Sequence, residues 1–127
     1  MINKRSKILK QLEQFIISKE TAHPIKVAID GIDAAGKTTL SKELENLLLD
    51  KGKFIIRASI DDFHNPREIR YRKGVDSPEG YYYDSFNYQA LKSMLLIPLG
   101  LHGNRHINTT IYDYKRNMFS MGAKYKF

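Results

Sequence analysis

Apolar residues recur at helical spacing near the start of the chain: Ile8, Leu9, Leu12, Phe15 and Ile16, with Lys, Gln and Glu between them. That spacing predicts an amphipathic helix with one buried face. The segment is predicted to end at His23-Pro24, because the residue before a proline avoids the helical region. Residues 25–29 follow as a short β-branched run. Val27, Ala28 and Ile29 are contiguous rather than alternating, which predicts a strand buried on both faces. Between 36 and 50, Leu40, Leu44, Leu47 and Leu48 form a helical stripe. Gly52 is placed to stop that helix, and Lys51 suits the negative end of its dipole. Residues 54–58 read as a second buried strand. Strand, helix, strand in this order is a βαβ unit, and a βαβ unit predicts a parallel sheet and an α/β fold.

The periodicity fades after position 60. Residues 61–83 are polar and aromatic, with Pro66, Gly74, Pro78 and Gly80. A long irregular stretch of this kind predicts a functional loop. Leu91, Met94 and Leu95 mark a further helix, closed by Pro98-Leu99-Gly100. Residues 107–112 are a β-prone run leading into Asp113. The tail after Tyr114 has no clear period, and no internal repeat or second domain is visible.

Composition narrows the classes. The chain has 127 residues, 42% hydrophobic and 28% charged, which reads as one globular domain rather than a disordered chain. Its formal net charge of +7 suggests an anionic partner without distinguishing nucleic acid, membrane or a phosphorylated small molecule. With no cysteine, disulfides and thiolate metal sites are excluded, and a reducing cytoplasm is the expected compartment. No apolar run approaches the ~20 residues that span a bilayer, and no signal-peptide core forms at the N-terminus.

The strongest chemical signal lies between the first predicted strand and the helix after it. Gly31 to Thr38 reads G-x-x-x-x-G-K-T. A phosphate chain needs several backbone N–H groups converging on it, and glycine lets the backbone wrap closely or take a positive φ. The helix N-terminus adds free N–H groups and partial positive charge. In such a loop Lys37 reaches the β- and γ-phosphates and the Thr38 hydroxyl is placed to ligate Mg²⁺. At the end of the second predicted strand, Asp61 and Asp62 fall on the edge where open α/β sheets bind ligands. Asp61 there can take a proton from an attacking hydroxyl or hold Mg²⁺ through water, while Asp62 reads as the cap of a following helical turn. Residues 67–73, "REIRYRK", read either as a solvated charge run or as an anion-facing loop. The tyrosines of "GYYYDSF" read as half-buried packing residues or as a base or sugar platform. The histidines lack metal-ligand spacing.

Taken together, "AIDGIDAAGKTTL", "IRASIDDFHNPREIRYRKG", "SPEGYYYDSFNYQAL" and "IYDY" resemble the uridine kinase family of P-loop nucleoside kinases, over roughly residues 25 to 114. The resemblance implies a P-loop NTPase fold, a parallel sheet flanked by helices, and transfer of the ATP γ-phosphate to the 5′-hydroxyl of a nucleoside, with ATP and Mg²⁺ bound. With the N-terminal amphipathic helix at 1–22 read from its spacing, the chain divides into that helix, a P-loop kinase core at 23–114 and a divergent tail at 115–127. The phosphate loop falls on Gly31, Ala34, Ala35, Gly36, Lys37, Thr38 and Thr39. Lys37 and Asp61 become the catalytic pair, with Thr38 and Asp61 at the metal. The residue near the nucleoside falls on Phe63 or His64, the base-lining stretch on Tyr112, Asp113 and Tyr114, and the ribose acid on Asp84. A small-molecule nucleoside is the implied partner, with neither nucleic acid nor membrane expected.

The chain departs from the family pattern in two places. A histidine expected three positions after Tyr114 is replaced by Asn117. After Tyr114 the pattern stops, so the strand between the first two, the arginine-bearing lid and the adenine contacts are missing, as in a truncated member. Two other functions stay open for such a chain. One is ATP binding without transfer. The other is transfer to a different small acceptor, as in pantothenate kinase or phosphoribulokinase.

Overall fold

Helix α1, Lys4–Ile17, starts where the Asn3 side chain accepts a hydrogen bond from the Ser6 amide at 2.8 Å, an N-cap that satisfies one of the first-turn donors. The computed structural model describes residues 3–32, 34–120 and 124–126. Asp33 of the glycine-rich loop therefore lies outside the described residues, as do Met121, Gly122, Ala123 and Phe127 of the tail. The chain divides into two units, Met1–Arg57 and Ala58–Phe127.

In the first unit, α1 packs on helix α2, Lys37–Asp50. The leucine stripe of α2 turns inward, and Leu44 and Leu48 are buried. On α1 the buried position is Glu13, while Ile8 and Phe15 of the apolar set remain exposed. Glu13 is neutralised by Lys51, whose ammonium lies 3.9 Å from its carboxylate. Arg5 grips Glu43 through its Nε and Nη2, joining the two helices at their other end. Helix α2 ends in a Schellman motif. Gly52, at φ 75°, donates to the Leu49 carbonyl at 2.9 Å, and Lys53 donates to Leu48 at 3.1 Å. Two of the last turn's orphan carbonyls are thereby satisfied.

The two predicted strands do not form, and the α/β expectation fails with them. Residues 25–29 and 54–58 join no β-ladder, and among the described residues every ladder is antiparallel and two-stranded. The parallel sheet of a P-loop NTPase is thus absent from the described residues. The physical reason is the placement of apolar cover. A strand apolar on both faces needs a layer over each. In this unit α1 and α2 cover each other instead, and Val27 stays 52% and Phe54 70% exposed. A β-branched run records fitness for a pleated, half-buried surface, not the presence of a partner.

The second unit is built from short elements. A 3₁₀ turn at Ile60–Phe63 is followed by helices α3, Arg67–Arg70, and α4, Pro78–Asp84. Ser77 caps α4 with its hydroxyl, 3.1 Å from the Gly80 amide, and Pro78 occupies the first turn, where its missing N–H costs nothing. Helix α5, Tyr88–Leu91, is capped by Asn87 and continues as a π turn, Lys92–Leu96. Strand β1, His106–Asn108, pairs with β4, Lys124–Lys126, and β2, Tyr112–Asp113, pairs with β3, Met118–Phe119, with Tyr112 opposite Phe119. Phe63, Ala90, Ile107 and Tyr112 are the buried hydrophobic residues. Residues 62–65 are stitched to two other segments. Asn87 donates to the Phe63 carbonyl at 2.7 Å, Asn65 to Ser85 at 2.9 Å and Ile111 to Asp62 at 2.9 Å. These bonds place the 61–64 stretch beside residues 110–114.

Candidate functional site

The glycine-rich loop of the first unit runs into α2. Gly36 sits at φ 91° as the N-cap residue, a left-handed conformation that glycine adopts without strain. A Cβ there would meet nothing within 4 Å, so the requirement is conformational and not steric. Ala34 is also left-handed, at φ 61°. The loop is tightened by the Ala35 amide donating to Ile32 at 3.2 Å and by Asp30 accepting from the Gly31 amide at 2.8 Å. Gly36 offers no side chain to cap the first turn, which leaves that turn's N–H groups for solvent or an anion. The Lys37 ammonium folds back and donates to the Gly31 carbonyl at 2.6 Å. Ala34, Ala35, Thr38 and Thr39 are exposed.

The loop residues fit a polyphosphate. They supply an uncapped helix start and one ammonium, held by carbonyl contacts that phosphate oxygens can replace. For Mg²⁺ the loop offers the exposed Thr38 hydroxyl. Among the described residues no group of three or more His, Cys, Asp or Glu side chains is arranged to hold a metal. That is compatible with Mg²⁺ carried on a nucleotide, because this ion keeps several waters and takes much of its coordination from substrate phosphates.

The second unit carries an open cleft of about 380 Å³ lined by Ser59, Asp61, Asp62, Thr110, Asp113 and Tyr114, among others. Asp61 is exposed at its rim. The residue capping the 3₁₀ turn is Ser59, whose hydroxyl accepts from the Asp61 amide at 3.2 Å. Asp62 is therefore not the cap that the sequence suggested, and its carboxyl lines the cleft. Burial pushes that carboxyl above the ordinary aspartate value of 3.8; the charges of Asp61 and Asp113 push it further, and His64 pulls the other way. Asp113 is tied down, accepting from the amides of Lys115 at 3.1 Å and Arg116 at 3.2 Å.

The remaining predicted residues fall into three groups. His64 and Tyr114 come together, with ring centroids 4.5 Å apart and planes at 28°, and Tyr114 lines the cleft. Phe63 and Tyr112 are core residues instead. Phe63 is 0% exposed, and the Tyr112 hydroxyl donates to the Asn117 side chain, which also accepts from the Arg67 amide at 3.0 Å. Asp84 is buried and engaged, 2.7 Å from Arg72 and 3.8 Å from Lys73. The hydrogen bond from Arg72 holds its carboxyl below the ordinary aspartate value. The sequence reading took Asp62 only as a cap and Asp113 only as part of the base-lining stretch that the resemblance implies. For Asp113 a signal existed: an aspartate followed by polar residues is a turn former whose side chain bonds the amides ahead of it.

No protein-family model, no curated protein and no solved structure matches the chain. The likeness to uridine kinases therefore rests on the quoted residues alone. Among the described residues no helix is long and apolar enough to cross a membrane.

Proposed function

We propose that the chain binds the polyphosphate of ATP through its Gly31–Thr39 loop and acts as a uridine-kinase-like phosphotransferase on a nucleoside 5′-hydroxyl. One observation carries this reading: the loop enters α2 through a left-handed, uncapped Gly36, with the Lys37 ammonium folded over it. That helix start has no side-chain cap, and free N–H groups at a helix N-terminus suit an anion. In such a transfer the 5′ O–H bond breaks as its proton passes to a general base, the role that the resemblance gives Asp61. A bond forms from that oxygen to the γ-phosphorus, and the bond to the ADP oxygen breaks. Lys37 offsets charge on the transferring group, and positioning supplies most of the rest. The Thr38 hydroxyl would hold Mg²⁺, which would supply neutralisation of phosphate charge. The absence of cysteine fits a cytoplasmic protein.

A second reading, nucleotide binding without transfer, is favoured by one observation. Asp84, the acid that the resemblance assigns to the ribose, is closed off by Arg72 and Lys73. Incubation of the full chain with γ-labelled Mg·ATP and a nucleoside panel separates the two. A labelled nucleoside monophosphate supports transfer. Saturable ATP binding with no labelled product leaves binding alone.

A further inference from the structure

We propose that His64 is a positioning residue for the Asp61 cleft, one imidazole fixing both the main chain that carries Asp61 and the Tyr114 ring opposite. This rests on the phosphotransferase reading for its functional meaning, but the geometry stands independently. The His64 Nδ1 lies 2.6 Å from the Asp61 backbone carbonyl. A carbonyl only accepts, so Nδ1 carries the proton. The ring lies between two others: Tyr114 at 4.5 Å and 28°, and Phe86 at 4.6 Å and 57°. Its own backbone is pinned by the bridge to Phe86 and by the flanking bonds from Asn87 to Phe63 and Asn65 to Ser85. The imidazole therefore has little freedom, and it passes that rigidity to two residues on the cleft. Asp61 is exposed, and its backbone is held at the amide by the Ser59 cap and at the carbonyl by His64. The groups set against the ring are the Asp61 carbonyl, the Asp62 carboxyl and the two aromatic rings.

Packing alone would make the same stack without needing the Nδ1 donor, and two substitutions separate these roles. His64→Phe keeps an aromatic ring and removes the donor. His64→Asn keeps a donor at nearly the Nδ1 position and removes the stack. The full chain and both variants are compared by long-range ¹H–¹⁵N correlation of the imidazole, by the Asp61 carbonyl ¹³C resonance, and by label transfer from ATP to uridine. The expected result is a wild-type imidazole protonated at Nδ1. The Asp61 carbonyl resonance is displaced in His64→Phe and retained in His64→Asn. The kcat falls by up to about 100-fold in His64→Phe, as for a misplaced catalytic group, with partial rescue in His64→Asn and an unchanged KM for ATP. A wild-type ring protonated only at Nε2, or a carbonyl resonance that moves in neither variant, overturns the proposal. If the wild type transfers no label, the kinase reading fails, and the two resonance measurements still decide the role of His64.

Discussion

Truncating Phe63 separates the two roles open to it. The resemblance puts Phe63 or His64 beside the nucleoside, yet Phe63 is fully buried between Asp62 and His64. Its 3₁₀ turn packs on α5 and β2. Phe63→Ala removes a large ring from a close-packed site, a loss of about 3–5 kcal/mol. The unit Ala58–Phe127, at about 0.05–0.15 kcal/mol per residue, has of the order of 4–10 kcal/mol in all. The alanine variant therefore forfeits a third or more of that stability. At about 4–8 °C per kcal/mol for a unit of this size, its melting temperature falls by at least about 12 °C. Phe63→Leu keeps most of the volume, costs about 1 kcal/mol and lowers the melt by about 4–8 °C. The assay is a thermal melt of the full chain followed by tyrosine circular dichroism, with Phe63→Ala, Phe63→Leu and wild type side by side. An alanine variant that melts with the wild type but has lost uridine binding would refute the reasoning, because it would put Phe63 on the ligand.

Other expectations follow from particular contacts. A Cβ on Gly103 would lie 2.0 Å from the Pro98 carbonyl oxygen and 2.6 Å from that of Ile97. Gly103→Ala therefore forces backbone to move, costing about 1–3 kcal/mol, and denaturant titration should show an earlier midpoint. The Asp84 carboxyl is held below 3.8 by Arg72. A depressed folded value means that its contribution is complete above the ordinary aspartate value and disappears as pH falls through the lower folded one. Wild type and Arg72→Ala should differ in melting temperature at neutral pH and converge in strong acid. A gap that widens on acidification contradicts the assignment.

The helices were the legible part of the fold. The Leu40-to-Leu48 stripe and Gly52 are local signals, and they specify α2 and its terminating turn without help from elsewhere. For α1 the spacing located the helix but not its buried face, because a buried Glu13 depends on Lys51, far along the chain. The sheet was illegible for the same reason taken further. Residues 25–29 and 54–58 carry strand-like composition, but a ladder needs a second segment, and hydrophobic periodicity within one segment does not report it. At the cleft, Asp61 was visible from its place just after the second apolar run, and His64, beside it in the chain, was reached through the resemblance. Tyr114 was likewise reached only through the resemblance. The core roles of Phe63 and Tyr112 and the ion pairs of Asp84 were hidden, since each depends on contacts between segments many residues apart.

The central claim is that the loop ending in Gly36 and Lys37 grips a triphosphate. Isothermal titration of Mg·ATP into the full chain, shown by circular dichroism to be folded, tests it most directly. The expected result is saturable heat in the wild type that disappears in Lys37→Ala while that variant's melt is unchanged. A folded wild type that takes up Mg·ATP with no heat at any temperature tried, or a Lys37→Ala variant that binds as well, contradicts it.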